Sequence, residues 1–257
     1  MTDLPMSRRS LPSQMGARLR RLPPDTIECW VDVTPELCSH GLVRGSVLVM
    51  LVDVGAGWAA EQCSEGDWTF TVDIGLRRAP VATERISGVP AVQRAGRTVS
   101  VDLGLRDETG VATAHGVSTF IRLPRRPDDR PRVDVPTDLM AFGEPPYAPL
   151  AEQLAATPTD LGLQVELRPE LLNPARILQG GVASLLAELA AQERMERLTG
   201  EALVVTSFDV RYITMGRVGP IEAVVEPLGD RAAVVKLIDR GANDAVVTHN
   251  LLGFSPV

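Results

Sequence analysis

The chain has 257 residues, a length that suits two domains of ordinary size or one large one. Apolar residues make up 44% of the sequence, so a sizeable core can be buried, yet no stretch approaches the roughly 20 consecutive apolar residues that cross a bilayer. The net charge is −7, with no long basic run beyond the N-terminal segment. Nucleic acid is therefore not expected as a partner, because neutralising phosphates requires a clustered basic face.

The N-terminal segment 1–24 contains proline and arginine but lacks the apolar stretch of a signal peptide, so we expect the protein to be cytoplasmic. The three cysteines, Cys29, Cys38 and Cys63, are odd in number and have no CxxC spacing. Reduced thiols are a better interpretation than a disulfide framework or a zinc cluster.

In chain order, the first half begins with a predicted strand at 26–33 and continues with a long helix from about Ser46. Residues 47–52 make this helix apolar on every face, so we expect other elements to surround it. Strands rich in Val, Thr, Ile and Phe are predicted next, at 98–105 and 112–121. Consecutive strands after a single helix favour an α+β fold whose antiparallel sheet curls around that helix.

Residues 123–150 are dense in proline, arginine and aspartate and are predicted to form a linker. Beyond it, a strand is predicted at 163–167 and a second long helix from about Gly181, ending at Gly200 with a left-handed cap. The expected organisation is an N-terminal arm, a first unit, a linker and a second unit, at 1–24, 25–122, 123–150 and 151–257.

The two halves are related by an internal repeat. Asp53 matches Glu188 at a spacing of 135 residues, and Thr71 matches Ser207 at 136. Four further pairs recur at a spacing of 134: Arg97 and Arg231, Arg106 and Arg240, His115 and His249, and Phe120 and Phe254. A spacing this constant indicates a tandem duplication of one α+β half.

Each predicted long helix carries one acidic residue at the same position. Asp53 lies among Leu51, Val52 and Val54, and burial of its carboxylate would raise its pKa. We interpret it as a general base or nucleophile, the alternative being a local cap or an arginine pair. Glu188 lies in a more polar helix and, taken alone, would more often be a solvated residue.

A glycine precedes each helix, within Arg44-Gly45-Ser46 and Gln179-Gly180-Gly181. Free N–H groups at a helix N-terminus carry partial positive charge and can hold a carbonyl oxygen as it becomes anionic. The alternative is that glycine only allows a tight loop to reach the helix.

The segment from Asn173 to Gly181, followed by Glu188, resembles the motif of the PaaI-type hotdog-fold acyl-CoA thioesterases, which runs N-x-x-G-x-x-H-G-G before an acidic residue on the long helix. The segment from Gly41 to Ser46, followed by Asp53, is similar to it. The strand 71–74 and the segment 94–97 also match the family, and the resemblance covers about 200 residues.

The resemblance implies a double hotdog, in which two long helices pack against one continuous sheet and each active site lies between the two units. The first composite site would join Asp53 and Thr71 to Asn173, Gln179 and Gly180. There Asp53 would activate water or attack the thioester carbonyl. Asn173 would orient the reacting group, and the Gly180 N–H would stabilise the oxyanion.

The second composite site would join Glu188 and Ser207 to Cys38, Arg44 and Gly45. Cys38 stands where the family has its Asn, and Arg44 stands where it has its His. Arg44 is expected to pair with Glu188. We therefore expect the first site to be catalytic and the second to be degenerate.

The sequence departs from the family motif in both halves. Arg44 and Gln179 replace the family His, Ser46 replaces the second Gly of the first half, and Arg176 replaces the earlier Gly of the second half. These departures support the alternative function, a non-catalytic acyl-CoA or lipid-binding protein that kept the fold.

Three other patterns are weaker. Residues 52–60 imitate a dinucleotide fingerprint, but the second copy has helix formers and no glycine there. We therefore interpret Gly55 and Gly57 as helix residues that permit close packing. Asp244 and His249 have the spacing of a hotdog hydratase pair but lie far from either helix start. His115 and His249 lack nearby ligands for a metal and are interpreted as packed strand residues.

We expect no metal and no cofactor other than coenzyme A as part of the substrate. Arg94 and Arg97, which bracket a predicted turn, would hold coenzyme A phosphates or belong to an exposed turn. The expected partners are an acyl-CoA substrate and further copies of the chain in a homo-oligomer.

Overall fold

The computed structural model describes residues 10–23, 26–64, 66–125, 140–141, 146–173 and 175–257. Most of the predicted linker 123–150 lies outside the described residues. The described helices include none with the length and apolarity that a membrane crossing requires.

Two long helices dominate the described chain. The α-helices are α1 (Leu11–Gln14), α2 (Gly45–Gln62), α3 (Leu150–Leu154) and α4 (Gly180–Thr199). The long helices α2 and α4 each begin one residue before the predicted start. Gly200 ends α4 with φ of 73°, a left-handed conformation that glycine adopts without a Cβ clash, so the predicted cap is confirmed.

The strands fall into two series. Those before the predicted linker are β1 (Arg18–Leu22), β2 (Thr26–Asp32), β3 (Cys38–Ser39), β4 (Leu42–Val43), β5 (Trp68–Arg78), β6 (Arg85–Gly88), β7 (Ala91–Ala95), β8 (Thr98–Asp107) and β9 (Ala112–Leu123). The later ones are β10 (Met140–Ala141), β11 (Thr157–Pro158), β12 (Gly162–Val165), β13 (Leu203–Tyr212), β14 (Ile221–Leu228), β15 (Ala232–Asp239) and β16 (Ala245–Pro256). Short 3₁₀ turns at Pro35–Leu37 and Pro169–Leu171 precede the long helices.

One 14-stranded sheet runs through both halves in the order β10-β1-β2-β6-β8-β9-β5-β13-β16-β15-β14-β12-β11, with β7 added to β8. The pairings are antiparallel, which confirms the predicted sheet type. The series β2-β6-β8-β9-β5 of the first half has its counterpart in β12-β14-β15-β16-β13 of the second. The halves meet where β5 pairs with β13 at the centre of the sheet.

The two long helices form the core with this sheet. Helix α2 contacts β2, β5, β8 and β9, helix α4 contacts β12 to β16, and the two helices contact each other. Residues 45–52 of α2 are all buried, which confirms that this helix is surrounded. One apolar cluster joins residues of both halves, including Met50 and Val182, and its burial provides the main driving force for folding.

Gly55 lies inside α2 where the helix crosses β2. A Cβ at Gly55 would lie 2.7 Å from Cys29 Sγ, so glycine is needed for this close approach. Because Gly55 and Gly57 are both helical, the strand-turn-helix geometry of a dinucleotide fingerprint is absent from this segment.

The predicted N-terminal arm, 1–24, is folded from residue 10 onward. Strand β1 pairs with β2, and Leu11, Met15 and Leu19 are at most 2% exposed. The alternation of Leu19 with arginines at 18 and 20 is the strand pattern that the basic composition of this segment masked.

Candidate active site

Asp53 lies on α2, partly exposed to solvent, and faces β5. The Thr71 hydroxyl donates to Asp53 Oδ1 at 2.8 Å. Burial raises the pKa of Asp53 to about 6, although the hydrogen bond from Thr71 opposes the shift. The carboxyl group therefore titrates near pH 6 and is largely ionised at neutral pH, a state in which it can accept a proton.

The N-terminus of α4, from the other half, faces the same carboxylate. A Cβ placed on Gly180 would lie 3.3 Å from Asp53 Oδ2, so the absence of a side chain brings the α4 backbone close to the acid. Within the described part of the chain, no acceptor is hydrogen-bonded to the N–H groups of Gly180 and Gly181. These N–H groups are unpaired donors of the kind found at helix starts.

Gln179 occupies the N-cap position of α4. Its Oε1 accepts a hydrogen bond from the Val182 N–H at 3.0 Å, and its Nε2 lies 3.2 Å from Met50 Sδ. The structure therefore brings together Asp53, Thr71, Gln179 and Gly180 from the two halves, as the first composite site requires.

Asn173 shapes the loop that precedes α4. Its Oδ1 accepts hydrogen bonds from the N–H groups of Ala175 (2.9 Å) and Ile177 (3.3 Å). This local turn uses the side-chain oxygen, so a contact with substrate would have to come from the amide nitrogen. Arg176, at the family glycine position, has φ of 58°, and Gly41 has φ of 76° at the same position of the first half.

In the second composite site the carboxylate caps a helix. Glu188 is 2% exposed; its Oε1 accepts from the Gly45 N–H at 2.9 Å and its Oε2 from the Ser46 N–H at 2.8 Å. The Ser46 hydroxyl also donates to Oε2. The N–H groups of α2 that would hold an oxyanion are therefore already occupied.

The acidic side chains of the two sites differ in length by one methylene group. Asp53 and Glu188 occupy equivalent helix positions, each opposite the N-terminus of the other long helix. Glutamate reaches the backbone N–H groups, whereas no hydrogen bond joins Asp53 to those of α4 among the described residues. At the first site the N–H groups of the helix start are thus unpaired among the described residues, whereas at the second they are bound by the carboxylate of that site.

The predicted pairing of Arg44 with Glu188 is wrong. Arg44 donates from Nη1 to Gln192 Oε1 at 3.2 Å, and among the described ion pairs none joins it to Glu188. The oxygens of Glu188 are engaged by the start of α2, which removes the reason for an arginine partner. Cys38, at the family Asn position, donates instead to the Thr34 carbonyl oxygen at 3.3 Å, and burial raises the pKa of its thiol.

The predicted equivalence of Thr71 and Ser207 is wrong, because β-bulges shift the register of both strands. The register of β5 shifts between Thr71 and Asp73, and that of β13 shifts between Val205 and Ser207. Thr71 pairs with Phe120 and Val205 with Phe254, so Val205 is the equivalent of Thr71. Ser207 lies beyond the bulge, and its hydroxyl faces Gly253 rather than Glu188.

Sequence reasoning missed Tyr212, the last residue of β13. A Cβ on Gly180 would lie 2.7 Å from the Tyr212 hydroxyl, which places the phenol beside Asp53. Burial raises the pKa of Tyr212 well above 10, and the negative charge of Asp53 adds to the shift. The signal in the sequence is faint: Arg78, at the repeat spacing of 134, is the equivalent polar residue in the first half.

The sheet register confirms that equivalence, since Arg78 pairs with Ala114 and Tyr212 with Thr248. Arg78 is 8% exposed and donates to the Val43 carbonyl oxygen. Burial lowers its pKa, against the opposing charge of Glu188. Each composite site therefore has a buried polar donor from the end of a central strand.

The other predicted residues lie outside these sites. Arg94 is on β7 and Arg97 is in the turn that follows, and both are exposed. His115 is exposed on β9, and His249 lines an open groove of about 420 Å³ over the central strands. Asp244 pairs with Arg240 at 2.9 Å in the hairpin before β16, so it does not form the hydratase pair. No group of three metal-ligating side chains occurs among the described residues.

Comparison with solved structures finds proteins of similar fold. The structure resembles an acyl-ACP thioesterase from Bacteroides thetaiotaomicron, with a TM-score of 0.64 and 10% identity over 89% of this chain and 97% of that one. It resembles the 12:0-ACP thioesterase from Umbellularia californica, with a TM-score of 0.62 and 9% identity over 90% and 98%. It also resembles the tesB protein of Mycobacterium avium subspecies paratuberculosis, with a TM-score of 0.63 and 12% identity over 96% and 98%.

No family model matches the sequence, and no protein of curated function does so. The likeness to the solved structures extends over nearly the whole of each chain, so this α+β protein with its large antiparallel sheet has the fold of these thioesterases.

Proposed function

We propose that the protein hydrolyses the thioester bond of an acyl-CoA at one working site around Asp53. The observation that carries the proposal is the asymmetry between the two helix starts: Glu188 binds the N–H groups of α2, whereas those of α4, opposite Asp53, have no acceptor among the described residues. The fold shared with solved thioesterases supports the reaction class.

In the proposed reaction, the Asp53 carboxylate takes a proton from water as the water oxygen attacks the thioester carbonyl carbon. The carbonyl oxygen becomes an oxyanion and accepts hydrogen bonds from the free N–H groups at the start of α4. The C–S bond then breaks, and the proton held by Asp53 passes to the leaving thiolate. Thr71 holds Oδ1 of the carboxylate, so Oδ2 faces the start of α4.

The supporting residues have narrower proposed roles. Gln179 replaces the family His and keeps the α4 start in place by capping Val182. Asn173 would orient the reacting group through its amide nitrogen, since its oxygen is bound in the loop. In the second, degenerate site, the N–H groups of Gly45 and Ser46 hold a carboxylate that serves the structure. Cys38, Arg44 and Ser207, which the sequence assigned to this site, have other partners and no proposed catalytic role.

Arg94 and Arg97 are proposed to contact the phosphates of coenzyme A. Ala95 pairs with Val99, Val99 with Phe120, and Phe120 with Thr71. Neighbouring strands are about 4.8 Å apart, so the β7 hairpin lies about 14 Å from the site along the sheet. That distance suits a substrate whose charged tail extends beyond the thioester.

We further propose that the protein is a PaaI-type double hotdog with units at 25–122 and 151–257. It would use no cofactor other than the coenzyme A of its substrate, and it would assemble as a homo-oligomer. The second candidate function is acyl-CoA binding without hydrolysis, which is favoured by the absence of the family His at Arg44 and Gln179.

The proposal is tested by thiol release from a panel of acyl-CoA esters, using wild type, Asp53→Asn and the matched control Glu188→Gln. The Asn variant keeps the shape of the side chain and an acceptor for Thr71 but loses the base. We expect it to reduce turnover by about 10²–10⁴-fold, whereas Glu188→Gln should retain turnover.

Equal loss in the two variants would show that both sites work. Binding of acyl-CoA without release of thiol from any ester would favour the binding protein. Both variants should be checked for thermal unfolding, because Glu188 also caps α2.

A further inference from the structure

The Tyr212 hydroxyl, Asp53 and the start of α4 converge on one point. The position that a Cβ on Gly180 would take is 2.7 Å from the Tyr212 oxygen and 3.3 Å from Asp53 Oδ2. The three groups come from β13, α2 and α4, so both halves of the chain contribute to the cluster.

The Tyr212 hydroxyl is buried, and no described residue forms a hydrogen bond of normal geometry with it. Ser184 lies nearby: its hydroxyl donates to the Gly180 carbonyl oxygen at 3.1 Å, and its interaction with the phenol opposes part of the rise in the pKa of Tyr212. An unpaired buried hydroxyl opposes folding, and a catalytic role is one of the reasons for which native proteins keep such groups. Other buried polar atoms of the described chain are also unpaired, so it is the position of this hydroxyl beside Asp53 and the start of α4 that indicates a role. The phenol therefore has a proton that it can donate in a hydrogen bond to a ligand.

The phenol can donate a proton in a hydrogen bond but is poorly suited to act as a base. Burial and the charge of Asp53 both oppose its ionisation. Asp53 and Tyr212 thus differ in chemistry, one an acceptor of protons near neutral pH and the other a fixed donor.

The repeat supports selection for a donor at this position. Arg78, the equivalent of Tyr212, also projects a buried polar group beside the acid of its own site. In that site the N–H groups of the helix start are bound by Glu188, whereas those beside Tyr212 are unpaired among the described residues. An oxygen of a ligand placed there could accept from the phenol and from these N–H groups together.

We propose that Tyr212 is a catalytic residue whose hydroxyl donates a hydrogen bond to the thioester carbonyl oxygen, together with the N–H groups at the start of α4. This inference rests on the proposed thioester hydrolysis. As water attacks and Asp53 takes its proton, the carbonyl π electrons move to the oxygen, which Tyr212 and α4 then hold. When the C–S bond breaks, those electrons return, and Tyr212 keeps its proton throughout.

The test compares Tyr212→Phe with Tyr147→Phe, which alters the other tyrosine of the chain, a residue that is 72% exposed. Thiol release from the best ester of the panel is measured against substrate concentration and pH. Loss of one oxyanion donor typically lowers kcat by about 10²–10³-fold. We expect that loss in Tyr212→Phe, with KM and the acidic limb of the pH profile unchanged, and no loss in Tyr147→Phe.

Three results would overturn the inference while leaving the proposed function intact. They are equal rates in the two variants, a loss confined to KM, and a shifted acidic limb, which would make Tyr212 a positioning residue for Asp53. Wild-type protein that cleaves no ester would overturn the proposed function and the inference together.

A second measurement applies if Tyr212→Phe fails to fold. Tyr147→Phe protein labelled with 3-fluorotyrosine carries a single fluorine probe, at residue 212. A non-hydrolysable thioether analogue of the acyl-CoA should shift its ¹⁹F resonance if the phenol meets the ligand. An unchanged resonance at saturating analogue would contradict the inference.

Discussion

At the scale of single residues, the ionised carboxyl group of Asp53 opposes folding. Its pKa is about 6 in the folded protein, against an ordinary value of 3.8, and burial is the main cause. Below pH 3.8 the group is protonated in both the folded and the unfolded state, and no penalty exists. As pH rises through 6, the unfolded chain releases the proton more readily, so the folded state loses stability.

Asp53→Asn should therefore be more stable than wild type at pH 7. One pKa unit corresponds to about 1.4 kcal/mol, so the shift gives an upper limit of about 2–3 kcal/mol in the free energy of unfolding. Urea unfolding at pH 7 and at pH 4.5 measures it, and the gain should be smaller at the lower pH. A gain that does not depend on pH would mean that Asp53 is not destabilised by its charge.

The length of the acidic side chain is the second feature at this scale. Asp53→Glu should carry the carboxylate to the free N–H groups of α4, as Glu188 does at α2. We expect thiol release to fall about 10²-fold or more, because the oxyanion would lose its donors although the acid is retained. The same change should stabilise the fold by about 0.5–2 kcal/mol through capping.

Glu188→Asp is the matched control for that substitution. It should uncap α2, lower the free energy of unfolding by about 1–2 kcal/mol and leave the rate unchanged. Steady-state thiol release and urea unfolding give a rate and a free energy of unfolding for each of the two variants. An Asp53→Glu protein as active as wild type would show that the open start of α4 is not what distinguishes the two sites.

At the scale of elements, the two ends of α4 place different demands on glycine. Gly180 has no room for a Cβ, because Tyr212 and Asp53 lie within 3.3 Å of its position. Gly200 has free space around it but a left-handed φ of 73°. Gly180→Ala should reduce thiol release by at least about tenfold through displacement of Tyr212 or Asp53, since small misplacements at a reacting centre are costly.

Gly200→Ala should leave the rate unchanged and destabilise the protein by about 1 kcal/mol, the cost of a Cβ in the left-handed region. Thiol release and thermal unfolding of the two alanine variants separate these effects. A Gly200→Ala protein that loses turnover would indicate that the whole helix, and not only its start, must be fixed for the reaction.

The elements were the part of the fold that the sequence predicted well. Apolar runs and caps placed the starts of α2 and α4 within one residue, because helix boundaries depend on neighbouring residues. The repeat then predicted the same order of elements in the second half as in the first. Strand β1 was missed, since its arginines hid a short alternating pattern.

The details of the site were not predictable in the same way. Val205, and not Ser207, is the structural equivalent of Thr71 because of β-bulges. These depend on pairing across the sheet, which local sequence does not specify. Whether Glu188 reaches the start of α2 depends on side-chain length and on the approach of two helices. Tyr212 meets Asp53 only through the tertiary fold, so no motif joins the two residues.

At the scale of the whole molecule, duplication places each site between the halves. The acid of one half faces the helix start of the other, so neither half contains a complete site. After duplication each acid could change independently. In the present chain Glu188 caps the start of α2, while the shorter Asp53 leaves the N–H groups of α4 unpaired among the described residues, as the proposed one-site mechanism requires.

The shared sheet and core should make the two halves unfold together. All three tryptophans, at residues 30, 58 and 68, lie in the first half, so their fluorescence reports on that half alone. Leu186 on α4 is fully buried in the cluster that joins the halves, and Leu186→Ala should lower the free energy of unfolding by about 2–5 kcal/mol. Although Leu186 belongs to the second half, we expect the urea midpoint from tryptophan fluorescence to fall as much as the midpoint from circular dichroism, because β5 and β13 pair at the centre of one sheet. A fluorescence midpoint that stays at the wild-type value while the circular dichroism transition divides would show that the halves unfold separately.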